Sequence, residues 1–123
     1  MADTTNESIL PYFFAGIWGF GGVIMLAMGS HPPQTGLMAT GGQFLLFHAP
    51  AVMAVASQTR FGGVYKRAAL ALLLAGPAIF AAEAVFHTTA RSTALIALMP
   101  IGGGMAVLGW LCVAIGAIRT QKT

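Results

Sequence analysis

The stretch TALIALMPIGGGMAVLGWLCVAIGAI, residues 93–118, carries no charged side chain from its first residue to its last. A helix of about 20 apolar residues spans the hydrocarbon core of a bilayer, and this stretch exceeds that length. A membrane-spanning strand would alternate polar and apolar positions, which this stretch does not do. The sequence therefore predicts a transmembrane helix over residues 93–118.

Three further apolar segments precede this one, at about residues 9–30, 40–57 and 68–87. The chain is 57% hydrophobic and 7% charged, with a mean hydropathy of +0.80, whereas a soluble domain carries about 25% charged residues. The connections between the segments are short, and short connections make neighbouring helices antiparallel. We therefore predict an all-α fold: a four-helix transmembrane bundle, up-down-up-down, forming a single membrane domain over residues 1–123.

The distribution of basic residues predicts the orientation of the bundle. With an even number of spans both termini lie on one side of the membrane, and cytoplasmic loops carry an excess of Lys and Arg. Only Arg91 falls on the opposite side, whereas the basic residues on the side of the termini are Arg60, Lys66, Arg67, Arg119 and Lys122. We therefore expect both termini to be cytoplasmic, in a bacterial inner membrane. So few basic residues, without a basic face, do not indicate nucleic acid binding.

Small residues recur at helical spacing in the first and fourth segments. They are Gly16, Gly19 and Gly22 in the first, and Gly102, Ala106, Gly109 and Gly116 in the fourth. Small side chains let the backbones of membrane helices approach closely. Two interpretations stay open: the stripes pack helices within the chain, or they form a face for self-association or for another membrane protein subunit.

Glu83 is the only acidic residue after Glu7, and it lies inside the third apolar segment with His87 four residues later. Residues at i and i+4 share a helical face. In the predicted topology His31, His48 and His87 all fall in the non-cytoplasmic half of the bilayer, as Glu83 does. An ionisable group at membrane depth costs about 2.5–3.5 kcal/mol and by default suggests a functional site. These four residues are the candidate ligand-binding set.

Three interpretations of this set stay open. In the first, Glu83 accepts hydrogen bonds from His48, Gln43 or a hydroxyl group and fixes the helix register. In the second, the carboxylate and the imidazoles bind a proton, a quinone or a lipid headgroup. The third is a metal site at Glu83, His87 and His48, because carboxylate and imidazole are natural zinc or copper ligands. Haem held between two histidines is a further variant.

No nucleophile–base–orienter set, phosphate loop or nucleotide fingerprint occurs in the sequence, so we predict no enzymatic activity. The small-residue stripes and the minimal loops favour a non-enzymatic accessory or structural subunit of a larger membrane complex, or a homo-oligomer. The alternative function is the binding of a metal ion, quinone or lipid headgroup at the Glu/His cluster.

Residues 99–110, MPIGGGMAVLGW, resemble the Thr-Pro-Ile-Gly-Gly, five residues, Gly-Trp signature of the YgdD-like family of small membrane proteins, whose animal relative is transmembrane protein 256. MGSH, ending at His31, resembles the family's Gly-Ala-His. FLLFHAPAV resembles its Tyr-x-x-x-His-Ala-Leu-Ala, with His48 as the histidine. The resemblance covers all four helices and implies four membrane helices and no defined activity.

The third helix departs from this family pattern. Where relatives have Ser-Gly-Ser-Leu-Tyr, the chain has Ala-Ala-Glu-Ala-Val at residues 81–85. The resemblance therefore implies that His31 and His48 belong to a family-wide feature, whereas Glu83 and His87 are particular to this chain. Such additions favour a specialised role for this protein.

Overall fold

The computed structural model describes residues 3–32 and 36–119, and the side chains from residue 9 onward. Within these ranges the chain forms four α-helices and no β-strand: α1 (Asp3–Gly29), α2 (Leu37–Ser57), α3 (Gly63–Ala90) and α4 (Leu98–Ile118). All four helices are long and apolar enough to cross a membrane. The prediction of an all-α, four-helix transmembrane fold is confirmed. Lys122, which contributed to the predicted orientation, lies outside the described residues.

The helix ends differ from the ends of the apolar segments. α3 runs from Gly63 to Ala90, beyond the predicted residues 68–87, and α1 and α2 also begin earlier than predicted. Hydropathy marks only the part of a helix that suits lipid, whereas helical hydrogen bonding continues into polar residues. α4 shows the opposite difference, because it begins at Leu98 and residues 94–97 form turns. Apolar residues before Leu98 therefore belong to the connection.

The helices pack in chain order, and the bundle is open. α1 packs along α2, α2 along α3 and α3 along α4, with a slight contact between α1 and α3. Within the described ranges α1 and α4 make no extended contact with each other. α2 and α3 are therefore inner helices, whereas α1 and α4 are outer helices whose large apolar side chains are exposed to lipid.

The α1–α2 hairpin and the α3–α4 hairpin each depend on a glycine placed opposite another glycine. A Cβ atom on Gly22 of α1 would lie 2.9 Å from the carbonyl oxygen of Gly42 of α2. A Cβ atom on Gly76 of α3 would lie 2.7 Å from the carbonyl oxygen of Gly102 of α4. Real Cβ atoms do not lie this close to another atom. Glycine at these positions is therefore what allows the two backbones of each hairpin to touch.

The small-residue stripe of α4 is used for packing within the chain. Gly102 and Gly109 lie against α3, Gly116 lies against the Phe61 ring, and Ala106 is buried. This stripe is therefore not a free face for another subunit, and that interpretation of α4 is wrong.

The small-residue stripe of α1 is packed against α2 at one end and open at the other. Gly22 is in close contact with α2, and Gly19 would place a Cβ 4.0 Å from Ala49. Gly16 has nothing within 4 Å.

Two apolar clusters fill the interior of the bundle. One surrounds Val52 and Leu73, and the other surrounds Met25 and Met38 toward the opposite end of the helices. Trp18 of α1 packs against both clusters, and its indole N–H donates to the carbonyl of Leu74 in α3 at 2.8 Å. This hydrogen bond ties the outer helix α1 to the inner helix α3.

We predict that Gly102→Ala weakens the α3–α4 hairpin by about 1–3 kcal/mol, the usual effect of overpacking a tight contact. Gly103→Ala is the matched control, because a Cβ on Gly103 meets nothing within 4 Å. That substitution should leave stability unchanged or raise it by about 0.5–1 kcal/mol, since alanine favours helix over glycine. Thermal unfolding in detergent, followed by circular dichroism, measures both. Equal effects at the two positions would contradict the observed helix rotation.

Candidate functional site

Glu83 is enclosed in the interior of α3. Its side chain is 1% exposed, and neither carboxylate oxygen accepts a hydrogen bond from any described residue. Its helix neighbours Ala81 and Ala84 are buried in the second apolar cluster, beside Met25 and Met38. Polar groups buried in proteins are almost always hydrogen-bonded. An unpartnered carboxyl group in an apolar interior therefore calls for a chemical explanation.

His87 lies one helical turn after Glu83, near the end of α3. The side chain is half-buried, and its Nδ1 atom is enclosed without a hydrogen-bond partner among the described residues. Residues four apart on a helix have Cβ atoms about 5–6 Å apart. The helix ends three residues later at Ala90, and the exposed Arg91 follows in the left-handed conformation with φ 51°. His87 thus lies between the buried carboxyl group and the end of the helix.

The register of the α3–α4 hairpin explains why Glu83 has no donor from α4. Gly76 lies against Gly102, so the antiparallel helices bring Glu83, two turns further along α3, level with the start of α4. The N–H groups of Leu98 and Met99 donate to carbonyls in the preceding turn. Pro100 has no N–H group. The first three residues of α4 therefore offer no free N–H to the carboxyl group.

His48 has its own partners and does not contact Glu83. The indole N–H of Trp110 in α4 donates to His48 Nε2 at 3.2 Å. His48 Nδ1 lies 2.7 Å from the carbonyl oxygen of Phe44, so the neutral tautomer protonated on Nδ1 satisfies both contacts. The prediction that His48 donates a hydrogen bond to Glu83 is wrong, because both ring nitrogens are already engaged.

Two other predicted residues also lie away from the carboxyl group. Gln43 is exposed on the outer surface of α2, so it cannot satisfy the buried Glu83 as predicted. His31 is exposed just after the end of α1. Among the described residues no group of three or more His, Cys, Asp or Glu side chains lies close enough to hold a metal ion. The predicted metal site at Glu83, His87 and His48 is therefore not formed.

Trp110 is the residue of this region that the sequence analysis missed. It joins α4 to α2 through His48, with ring centroids 6.0 Å apart. Phe44 continues the contact toward α3, since its ring lies 4.6 Å from that of His48 and 4.7 Å from that of Phe80. The available signal was chemical: a tryptophan in a membrane helix carries an N–H that needs a partner, and His48 is an acceptor at similar depth.

Comparison with known proteins gives one informative match. No family model matches the chain, and no solved structure matches it significantly. A protein of Haemophilus influenzae described as a UPF0382 membrane protein is 27% identical over 83 residues, which cover 68% of this chain and 67% of that protein. The specific resemblance to the YgdD-like family stays a prediction. The four apolar helices and this similarity together identify the chain as a small integral membrane protein in contact with the lipid bilayer.

Proposed function

We propose that this chain is a non-enzymatic integral membrane protein that binds and releases a proton at Glu83, with His87 connecting that carboxyl group to the aqueous side. The observation that carries the proposal is the enclosure of Glu83. Its side chain is 1% exposed and both oxygens lack a partner among the described residues.

The size of the enclosed space favours a proton over the other ligands that the sequence suggests for Glu83. A quinone ring or a lipid headgroup needs open room beside the carboxyl group, which a side chain with 1% exposure does not have. A zinc or copper ion needs three or four ligands, and no such group forms among the described residues. A proton needs no space, and its binding removes the charge that costs about 2.5–3.5 kcal/mol at membrane depth.

His87 supplies the route for the proton. Imidazole accepts a proton on one ring nitrogen and releases one from the other, which suits a relay between water and a buried acid. The ring is half-buried near the end of α3, and its enclosed Nδ1 has no other hydrogen-bond partner in the described chain. Residues at i and i+4 on a helix have Cβ atoms about 5–6 Å apart, which places the imidazole and the carboxyl group within reach of each other.

The predicted orientation gives this site a side of the membrane. With both termini cytoplasmic in a bacterial inner membrane, the end of α3 that carries His87 faces the periplasm. The basic residues near the opposite helix ends, such as Arg60 and Arg119, support this orientation.

The second candidate function is association, as an accessory or structural subunit of a larger membrane complex or as a homo-oligomer. The observation that favours it is the open bundle, in which α1 packs closely on α2 alone. The α1 surface at Gly16 has nothing within 4 Å, and Phe13 and Phe20 beside it are 58% and 69% exposed. A small residue between aromatic rings suits close helix contact with another subunit.

We predict that Glu83 holds a carboxylic acid proton in the purified protein, because its enclosed oxygens have no partner among the described residues. The infrared spectrum in detergent should contain the C=O stretch of a protonated carboxylic acid, and Glu83→Gln should remove it while the thermal unfolding temperature stays equal or rises. The chain has three acidic residues, so the matched control is Asp3→Asn with Glu7→Gln, which should keep the band. Absence of the band in the unmodified protein would rule out the proton site.

We predict that His87→Phe slows proton exchange at Glu83 without removing the carboxylic acid band. The substitution keeps a ring at that position and removes the relay nitrogens. The rate at which the band shifts after transfer into D2O measures the exchange. His31→Phe is the control, because His31 is exposed after the end of α1. If exchange is equally fast in both variants and in the unmodified protein, His87 is not part of the route.

For the association candidate, we predict that Gly16→Ile disrupts a complex seen by native mass spectrometry from mild detergent. Gly104→Ile is the matched control on α4, because both glycines have nothing within 4 Å inside the chain. Gly104→Ile should therefore leave the complex intact. A protein that remains a monomer without co-purifying subunits would lead us to abandon the association candidate while leaving the proton site untouched.

A further inference from the structure

A cavity lies at the opposite end of the bundle from Glu83, between α2, α4 and the loop that joins α2 to α3. Its volume is about 400 Å3, and its wall on α2 consists of small and apolar side chains, Ala51, Ala54 and Val55. The α4 wall is formed by Trp110, Val113 and Ala117. Residues 51–58 on α2 and 110–117 on α4 each cover about two helical turns, or about 10 Å of depth.

The walls of this cavity are held in place by contacts already described. Trp110 is fixed by its hydrogen bond to His48, and Phe61 is fixed because its ring fills the space above Gly116. α2 and α4 have no extended contact with each other, so the small residues between them leave a groove. The groove is therefore a feature of helix packing and faces the lipid side of an open bundle.

The mouth of the groove is positively charged. Arg60 and Gln58 line it at the helix ends. Nearby Lys66 donates to the Gln58 carbonyl at 2.8 Å, and the guanidinium of Arg119 lies 5.9 Å from the centre of the Tyr65 ring. These two side chains have partners within the protein, and Arg60 is the basic residue that lines the cavity itself. Glu83 is 20 residues along α3 from Gly63, about 30 Å away along the helix.

We infer that this groove binds one acyl chain of an anionic phospholipid, with the lipid phosphate at Arg60. The apolar walls match a hydrocarbon chain, and the guanidinium group matches a phosphate through paired hydrogen bonds. In a bilayer leaflet the charged headgroup lies at the surface and the acyl chains lie below it. The groove has the same order, with Arg60 at the helix ends and the apolar walls deeper in the bundle. This inference does not depend on the proton site at Glu83.

Native mass spectrometry of the delipidated protein tests the inference. The protein is mixed with equal amounts of phosphatidylglycerol and phosphatidylethanolamine of identical chain length. We expect a one-to-one adduct that favours phosphatidylglycerol, and Arg60→Gln should reduce this preference about fivefold, as expected for one basic residue at an anionic leaflet. Ala117→Leu, which fills the groove without changing charge, should reduce the adducts of both lipids.

Arg91→Gln is the matched control, because it removes the same charge at the other end of the bundle and should leave the preference unchanged. Equal losses in Arg60→Gln and Arg91→Gln would overturn the inference, since they would indicate attraction by net charge alone. Unchanged adducts in Ala117→Leu would also overturn it, because the chain would then lie elsewhere. If Arg60→Gln does not fold by circular dichroism, Arg60→Lys and Ala117→Leu decide the question in the same assay.

Discussion

The close approach of glycine to glycine in each hairpin is the constraint on which the rest of this structure depends. Hydrophobic burial cannot bring helices together in lipid, so packing relies on small residues that allow backbones to touch. Gly76 against Gly102 fixes both the distance and the register of α3 and α4. That register brings Glu83 level with a helix start whose N–H groups are occupied or absent. The lack of a donor to Glu83 from α4 is thus a consequence of glycine packing two turns away.

The same packing divides the polar groups of the membrane region into separate sites. His48 and Trp110 satisfy each other between α2 and α4, and this contact removes His48 from the surroundings of Glu83. It also holds the Trp110 ring as the inner wall of the groove below Arg60. The His48–Trp110 contact therefore lies between Glu83 at one end of the bundle and the groove at Arg60 at the other. The sequence analysis had placed His48 in one candidate set with Glu83 and His87, and the contact with Trp110 removes it from that set.

The sequence was sufficient to predict the four helices, because spans of apolar residues follow directly from bilayer thickness. It was also sufficient to select Glu83 and His87 as neighbours on one helical face. It was insufficient for contacts between helices, because depth in the membrane does not determine the rotation of a helix about its axis. His48 and Gln43 lie at suitable depths, yet His48 turns toward Trp110 and Gln43 toward the outside. The spacing of the α4 glycines was likewise visible in the sequence, but the sequence did not indicate which helix they contact.

A purely structural role does not explain the carboxyl group of Glu83. A carboxylate that fixes helix register needs donors, and none of the described residues donates to it. A carboxyl group that only fills space makes the fold less stable than an apolar side chain of similar volume would. The free energy lost when the carboxyl group leaves water is then not offset by hydrogen bonds. The proposed proton site gives the acid a role that an apolar residue could not fill, and His87 lies one turn closer to the end of α3.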